Sequence, residues 1–344
     1  MLLRLFEALI FGAIGGILFD RLGVPAGLIS GSVVAVGMAA IAGRPVAIPV
    51  PVARVVFVCI GITLGSIVTP ETLRGLTAYP VSVAVLALCT ACMTAATTLY
   101  LRRVHRWSPL SALFGASPGA LAQVMAMAAE EGIDLRAIAI VQTVRVVLLT
   151  VGLPAILAAA GLAAHMATGR ATVPASPVEL LVLVVVSVIP AVILQRVGFV
   201  GGALFGAMLG SGILHGGGFI QGGLPVWLSS GAAICLGAIT GSRFAGTRPR
   251  LLLNYLGAAL GSFSVAMGVA GLFMLLVAYL IDIPPADIVI AFAPGAQDTM
   301  MFLAIILHLD PVYVGIHHIA RFLLVSLAMP FVAGLMGSGK PPEG

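Results

Sequence analysis

The stretch SPGA at residues 117–120 recurs as APGA at residues 293–296, and the two copies stand 176 positions apart. The same register continues without a gap through Arg145 and Arg321, with ten identities over 38 aligned positions. A repeat at a fixed offset indicates a duplicated structural unit. The sequence therefore predicts two tandem repeats that together form one domain. The predicted repeats occupy residues 1–170 and 176–340.

The composition identifies the medium in which these repeats fold. Of the 344 residues, 60% are hydrophobic and 8% are charged, and the mean hydropathy is +1.18. A soluble domain carries about 25% charged residues, whereas lipid-facing helices must be apolar throughout. The chain is thus predicted to be an all-α polytopic membrane protein, which excludes a soluble DNA-binding protein, a cytosolic enzyme and a disordered scaffold. The net charge of +5 is spread thinly, so it indicates membrane topology and no nucleic-acid partner.

Each repeat contains six apolar segments of about 20 residues, the length that crosses a bilayer. One segment per repeat, at 110–130 and at 287–307, is interrupted by the Pro-Gly pair. If both interrupted segments cross the membrane, the Lys and Arg residues outside the spans divide eight to seven between the two sides. If both return to the side they entered, the division becomes twelve to three. Because Lys and Arg accumulate on the cytoplasmic side, the second topology is favoured, with the N-terminus in the cytoplasm.

Five crossings per repeat make the second repeat enter the membrane from the opposite side, so the repeats are predicted to be inverted. Each then comprises about five transmembrane helices plus one broken or re-entrant helix. This architecture is typical of secondary transporters, which bind their substrate near the middle of the bilayer. Non-helical backbone at that depth must line protein or a water-filled cavity, which makes Pro118, Gly119, Pro294 and Gly295 candidate substrate-lining residues. The alternative is a pair of proline kinks in ordinary spanning helices.

Two arginines lie deep in their predicted spans. Arg145 and Arg321 stand roughly 13 and 15 Å from the starts of their segments, near the middle of a ~30 Å hydrocarbon layer. A charge at this depth is costly and requires a partner or water. One interpretation is a structural ion pair; the other is a pair of cationic anchors for an anionic substrate, because guanidinium binds carboxylate through two parallel hydrogen bonds. The acids available for ion pairs are Glu130, Glu131 and Asp134 for Arg145, and Asp298 and Asp310 for Arg321.

Polar side chains close to the Pro-Gly pairs are further candidates. Gln123 and Gln297 are candidate amide contacts to the substrate. Asp298 has Ala122 as its equivalent in the first repeat, and such an asymmetry suits a site for a coupling H⁺ or Na⁺ that one repeat holds. The position is equally consistent with a cap on a helix that begins near Thr299.

Two adjacent histidines complete the set. His317 and His318 precede Arg321 by four and three residues, so both lie on or beside its helical face. Imidazole titrates near neutral pH, which makes both residues candidate proton-coupling groups. With His308 they lack the Cys or carboxylate ligands at the usual metal-binding spacing, so no metal site is predicted. The sequence contains no nucleophile with a base, phosphate loop or haem motif, so neither an enzyme nor a cofactor is predicted.

Glycine pairs at four-residue spacing recur in both repeats, as at Gly61 and Gly65 and at Gly237 and Gly241. Small residues at this spacing let helix backbones approach closely in lipid. We interpret these pairs as packing faces within the chain, and a homodimer contact is the alternative.

The same residues carry a resemblance to a known family. The doubled Pro-Gly motif, with its downstream arginine and proline at 117–154 and 293–330, resembles the bacterial AbrB-type membrane family, whose members contain two tandem copies of one module. The resemblance covers about residues 8–336 and implies a location in the bacterial cytoplasmic membrane. Members are commonly labelled ammonia monooxygenase or AbrB-family regulator. The residues support neither label, because a monooxygenase needs a compact metal-binding cluster and a DNA-binding regulator needs a soluble basic module.

The sequence therefore predicts a secondary transporter that moves a small anionic organic solute by alternating access, coupled to H⁺ or Na⁺. The alternative is a membrane-embedded sensor or regulator that acts through a partner protein. The predicted partners are the lipid bilayer, the solute and the coupling ion.

Overall fold

The fold is known from a computed structural model of the chain. It describes residues 2–24, 26–66, 79–118, 124–125, 127–128, 133, 135–161, 174–199 and 201–337, with the side chain of Asp298 outside the description. All regular elements among these residues are α-helices. In the first repeat they are α1 (Leu2–Arg21), α2 (Gly27–Ile41), α3 (Val50–Gly65), α4 (Tyr79–Val104), α5 (Pro109–Ala116) and α6 (Leu135–Ala159). In the second repeat they are α7 (Pro177–Arg196), α8 (Gly202–Gly216), α9 (Val226–Ser242), α10 (Pro249–Leu280), α11 (Pro285–Phe292), α12 (Gln297–Ile306) and α13 (Pro311–Gly337).

Six of the described helices are long and apolar enough to cross a membrane, namely α1, α4, α6, α7, α10 and α13. Four shorter apolar helices, α2, α3, α8 and α9, have 15 to 17 residues. At 1.5 Å per residue these four are roughly 22–26 Å long, a little less than the hydrocarbon layer. The prediction of an all-α multi-pass membrane protein is therefore confirmed.

The helices form two compact units, and each unit contains segments of both repeats. The first unit comprises Met1–Thr77, Val147–Thr247 and Gln297–Gly315, and the second comprises Ala78–Val146, Arg248–Ala296 and Ile316–Gly344. The division follows helices that pack together rather than the boundary between the two sequence repeats. The boundaries of the two compact units therefore differ from the boundary between the two sequence repeats.

In the first unit, the glycine pairs predicted as packing faces bring helix backbones together. Gly61 and Gly65 of α3 lie against α8, and Gly237 and Gly241 of α9 lie against α2. The contact advances in the same direction along both helices of each pair, so α3 runs parallel to α8 and α2 runs parallel to α9. The two pairs are reciprocal, because α2 is equivalent to α8 and α3 to α9 in the repeat register. Each repeat contributes the same two surfaces to these contacts.

In the second unit, the equivalent helices α4 and α10 pack against each other. Tyr100 lies against Gly261 and His105 lies close to Gly257, while Trp107, just beyond α4, stacks edge-on against Tyr255 at 6.0 Å between ring centroids. The contacts move in opposite directions along the two helices, so α4 and α10 are antiparallel. The end of α4 and the beginning of α10 therefore lie at the same end of the pair. That end carries exposed arginines at positions 102, 103, 106, 248 and 250.

Both interrupted segments leave the helical conformation at equivalent positions. Helix α5 ends at Ala116, and Ser117 is extended with φ −61° and ψ 124°. Helix α11 ends at Phe292, Ala293 is extended with φ −56° and ψ 133°, and helix α12 begins only at Gln297. Ala116 and Phe292 are 176 residues apart, the repeat offset. The backbone is thus broken at the second Pro-Gly pair, rather than kinked within a continuous helix.

Candidate functional site

Arg145 binds the carboxyl end of the short helix α5. Its Nη1 donates a hydrogen bond to the carbonyl oxygen of Ala116 (3.2 Å), and its Nη2 donates to that of Ser117 (2.9 Å). The last carbonyl groups of a helix lack partners within the helix and carry the negative end of its dipole. A guanidinium group satisfies both requirements, because it supplies several N–H donors and a positive charge. The side chain is 5% exposed, so these bonds form away from water.

Gln142, one turn before Arg145, supports the same helix end. Its Nε2 donates to the carbonyl oxygen of Phe114 (2.8 Å), and its Oε1 accepts a long hydrogen bond from Arg145 Nη2 (3.4 Å). The side-chain amide of Gln142 therefore forms one hydrogen bond with a carbonyl group of α5 and another with the guanidinium group of Arg145.

The second repeat contains the equivalent arrangement at the end of α11. Arg321 Nη1 donates to the carbonyl oxygen of Phe292 (3.2 Å), and Arg321 Nη2 lies 2.6 Å from Nδ1 of His318. His318 Nε2 lies 3.1 Å from the carbonyl oxygen of Ile290. Since a carbonyl only accepts, Nε2 must carry the hydrogen, which leaves Nδ1 of the neutral ring to accept from Arg321. Arg321 is 1% exposed and His318 is 2% exposed.

The two arrangements share three pairs of contacts between residues that are equivalent at the 176-residue offset, and the bond from Arg145 to Ser117 is additional in the first. Arg145 corresponds to Arg321, and Gln142 to His318; their carbonyl partners Ala116, Phe114, Phe292 and Ile290 correspond in the same way. We call each arrangement an arginine cap, the first formed by Arg145 and Gln142 on α5 and the second by Arg321 and His318 on α11. Sequence analysis did not select Gln142. Its signal was its alignment with His318, three residues before the arginine in both repeats.

The arginine caps concentrate positive charge in a buried place. Within the described residues, the hydrogen bonds and ion pairs of both guanidinium groups include no carboxylate. The two guanidinium groups carry the same charge, and both are almost fully buried. Among the acids suggested as partners, Asp310 accepts hydrogen bonds from the backbone N–H groups of Val312 and Tyr313 at the start of α13. Glu130, Glu131 and Asp134 lie outside the described residues.

The first arginine cap retains polar groups with no partner. Arg145 Nε and Ser117 Oγ are both buried, and neither has a hydrogen-bond partner in the described part of the chain. Leaving a buried polar group unpaired costs ~1–3 kcal/mol, and more when the group is charged. Because Ser117 also supplies a carbonyl to Arg145, the two groups belong to the same small region, and a bound acceptor would satisfy them.

His317 has a different environment from His318. Its Nε2 lies 2.8 Å from Ser82 Oγ on α4, and its ring packs against Tyr79 and Phe292 with centroid distances of 6.4 and 5.8 Å. The sequence places both histidines beside Arg321, and in the described part of the chain His318 lies within hydrogen-bonding distance of its guanidinium group. His317 instead joins α13 to α4.

The remaining predicted residues divide between the units. Pro118, Pro294 and Gly295 are buried in the second unit. Gln297 begins α12 in the first unit, where its side-chain amide lies against the backbone of Gly201. Asp298 is the second residue of α12, so it lies within the first helical turn rather than before a helix that starts at Thr299. Gly119 and Gln123 lie outside the described residues.

Metal-binding side chains do not cluster in the described part of the chain, where no three His, Cys, Asp or Glu residues form a group that could hold an ion. The cysteines at positions 59, 89, 92 and 235 are free thiols. The polar chemistry of the described site is therefore that of guanidinium, imidazole, amide and hydroxyl groups.

Comparison with known proteins identifies the family. The family model described as "Transition state regulatory protein AbrB" matches residues 28–337, a range that includes both arginine caps. The chain belongs to this AbrB family. Its sequence is also 25% identical over 294 residues to "Uncharacterized protein YhjN" of Bacillus subtilis (strain 168), and the match covers 79% of this chain and 75% of that protein. No solved structure matches the chain significantly. The resemblance to the AbrB-type family drawn from the Pro-Gly motifs is thus confirmed.

Proposed function

We propose that this AbrB-family protein is a secondary transporter that carries a small organic anion across the bacterial cytoplasmic membrane by alternating access. The observation that carries the proposal is the pair of arginine caps. Two buried guanidinium groups, one from each repeat, bond neutral carbonyl, amide and imidazole groups and no described carboxylate.

The charge of the arginine caps favours an anionic substrate. Two like charges in a low-dielectric interior repel each other, and an anion between or beside them lowers that energy. Arg145 Nε and Ser117 Oγ supply free hydrogen-bonding groups at the first cap. A carboxylate has several acceptor sites and matches such donors better than a neutral solute does.

Helix directions support an inverted arrangement of the repeats. Equivalent helices α4 and α10 are antiparallel, as a twofold axis in the membrane plane requires of helices that pack across it. Repeats of the same orientation would make these two helices parallel. Inversion matters for transport, because the two repeats can then exchange conformations. One arrangement opens the binding site to one side of the membrane, and the exchanged arrangement opens it to the other side.

The positions of the arginines support ten crossings. Arg102 and Arg103 at the end of α4 lie at the same end as Arg248 and Arg250 at the start of α10. Ten crossings place all four in the cytoplasm, in keeping with the excess of Lys and Arg on that side. Twelve crossings would place the two groups on opposite sides of the membrane.

The geometry of His318 suggests how a proton could be coupled to the anion. In its neutral form, Nδ1 accepts from Arg321 Nη2 while Nε2 donates to Ile290. A proton on Nδ1 turns this acceptor into a donor and breaks the bond, which releases an N–H of Arg321 for a substrate and adds a further positive charge. Proton uptake and anion binding would then favour each other. Asp298, in the first turn of α12, is the proposed alternative coupling site, for Na⁺ or H⁺.

Uptake into proteoliposomes tests the transport proposal. Purified protein would be screened against small mono- and dicarboxylates, with and without an imposed pH or Na⁺ gradient. Arg145→Ala and Arg321→Ala should abolish gradient-driven uptake, whereas Arg44→Ala, which removes an exposed arginine paired with Glu7, should leave it unchanged. Unaltered uptake in both deep-arginine variants would remove the arginine caps from the mechanism.

The family description favours a second candidate, a membrane-embedded regulator that binds a ligand and acts through a partner protein, because its printed name refers to a regulatory protein. Affinity capture of one soluble partner whose binding changes with a carboxylate ligand, together with no flux, would favour this candidate over the transporter.

A further inference from the structure

An apolar groove of about 490 Å³ runs along the surface of the second unit between α4 and α13. Alanine and threonine side chains of α4 form one wall, and Leu324, Val325, Met329 and other apolar residues of α13 form the other. It contains none of the residues of the arginine caps, so it is separate from the proposed solute site. Because the lining is mostly apolar, the groove is suited to a hydrocarbon chain rather than to a polar solute.

The groove has one charged end. Arg102, in the last turn of α4, is the charged residue among the lining, and exposed Arg103 and Arg106 follow it closely in sequence. The neighbouring aromatic pair Trp107 and Tyr255 is typical of the membrane–water interface, where amphipathic rings lie at headgroup level. An apolar groove with a guanidinium group at headgroup level is complementary to an amphipathic molecule with an anionic head.

The wall of the groove contains a second polar residue, Thr98, whose hydroxyl is buried. Thr98 lines the groove and is 7% exposed, and its Oγ has no hydrogen-bond partner in the described structure. Thr90, two turns earlier on α4, differs from Thr98, because its hydroxyl donates a hydrogen bond to the carbonyl oxygen of Leu86. Thr98 precedes Arg102 by four residues, so it lies about 6 Å deeper along the helix. A ligand with an acceptor below its anionic head would use both residues.

The length of the groove corresponds to one leaflet. Ala87 and Arg102, the first and last lining residues of α4, are 15 positions apart, or roughly 22 Å along the helix. One leaflet comprises about 15 Å of hydrocarbon and roughly 5–8 Å of headgroup region. A lipid with its phosphate at Arg102 would therefore extend its chain to the far end of the groove.

We propose that this groove binds one anionic phospholipid. Its phosphate would accept hydrogen bonds from the guanidinium group of Arg102, an arrangement that suits the planar fork of arginine. The hydroxyl of Thr98 would donate to an ester carbonyl, and one acyl chain would lie between α4 and α13. Basic sites between transmembrane helices bind anionic headgroups in this way.

Tryptophan quenching by brominated lipids tests the proposal on the full chain. The protein has two tryptophans, and Trp107 packs against the cluster that contains the groove residue Leu113. In a Trp227→Phe background, acyl-brominated phosphatidylglycerol in a phosphatidylcholine bilayer should quench Trp107 with about fivefold selectivity over brominated phosphatidylcholine, as the attraction of one arginine to a net anionic headgroup predicts. Both lipids carry a phosphate, but the choline cation neutralises its charge in phosphatidylcholine. Arg102→Gln should remove this selectivity, and Thr98→Val should reduce it.

Matched variants separate the site from general surface charge. Arg103→Gln removes the same charge one residue away and does not line the groove, so it should preserve the selectivity. Ala95→Leu should narrow the groove and lower quenching by both lipids, with folding checked by circular dichroism. Equal quenching by the two lipids, equal effects of Arg102→Gln and Arg103→Gln, or stronger quenching by a brominated fatty acid than by phosphatidylglycerol would each overturn the proposal.

Discussion

At the scale of single residues, the arginines act on backbone carbonyl groups. Arg145 and Arg321 bind the buried carboxyl ends of α5 and α11, so each guanidinium group supplies partners to carbonyl groups that have none within the helix. Under the transport proposal, the same groups also bind an anion that reaches the breaks. If one arginine both stabilises a helix end and binds the anion, substitutions beside it should change protein stability and anion affinity by different amounts.

Ser117→Ala is expected to separate these two properties. Because the buried Ser117 Oγ lacks a partner among the described residues, its removal should raise the free energy of unfolding by roughly 1 kcal/mol. Anion uptake should nevertheless fall, since the hydroxyl is one of the groups proposed to bind substrate. Thermal unfolding in detergent and uptake into proteoliposomes measure the two effects. Ser82→Ala is the control, and it should destabilise the fold, because Ser82 Oγ is bonded to His317. A loss of stability in Ser117→Ala would contradict the prediction.

His318→Gln places in the second arginine cap the residue type that Gln142 provides in the first. Glutamine can donate to Ile290 and accept from Arg321, as Gln142 does in its own cap, so the fold should remain stable. The amide does not titrate, whereas an imidazole gains a proton as the pH falls. Uptake by the wild type should therefore rise as the pH falls, and this rise should be lost in His318→Gln. A variant with an unchanged pH profile would exclude His318 as the coupling group.

At the scale of elements, close helix contacts depend on glycine. Gly61 on α3 meets the backbone carbonyl of Leu204, and its equivalent Gly237 on α9 meets that of Ile29. A carbonyl oxygen belongs to the helix backbone and cannot turn aside as the end of a long side chain can. The two contacts are equivalent, so the repeats should respond to substitution in the same way.

Gly61→Ala and Gly237→Ala should each destabilise the first unit, by about 1–3 kcal/mol or more, because the added methyl group forces two helices apart. Gly271→Ala on α10 is the matched control. A Cβ there meets no atom within 4 Å, so this substitution should be neutral or stabilising by up to about 1 kcal/mol. Unfolding midpoints of the three variants provide the measurement. Equal midpoints for all three would show that these helix contacts are not tight in the membrane.

At the scale of the whole molecule, duplication and packing divide the chain differently. Each sequence repeat supplies helices to both compact units, so neither repeat forms a unit by itself. The reciprocal contacts of α3 with α8 and of α2 with α9 require both repeats to be present. A separately expressed repeat would lack the surfaces on which its glycine faces pack.

Cysteine labelling from each side of the membrane tests the inverted topology. In a background without the four native cysteines, Arg103→Cys and Arg250→Cys should react from the same, cytoplasmic side, and Asp282→Cys should react from the opposite side. The expectation follows from the antiparallel packing of α4 and α10. Labelling of Arg103→Cys and Arg250→Cys from opposite sides would indicate twelve crossings and parallel repeats.

Much of the fold could be predicted, because its signals are local. Apolar segments of membrane-spanning length, proline and glycine at the breaks and a fixed repeat offset all act through neighbouring residues or composition. The two deep arginines were also evident, since a charge in an apolar segment stands out. Gln142 was missed because an amide in a membrane helix has no such signature, and only its alignment with His318 connects it to the site.

The sequence by itself determined the helices, the duplication, the positions of both breaks and the burial of one arginine per repeat, since hydrophobicity and backbone chemistry act locally. Only the tertiary structure decided what each arginine binds. The carbonyl oxygens of Ala116 and Phe292 lie 29 residues before their arginines in the chain, and they become partners because packing brings two helices together. Carbonyl groups occur at every position, so the sequence does not indicate which of them are left without a partner at a buried helix end.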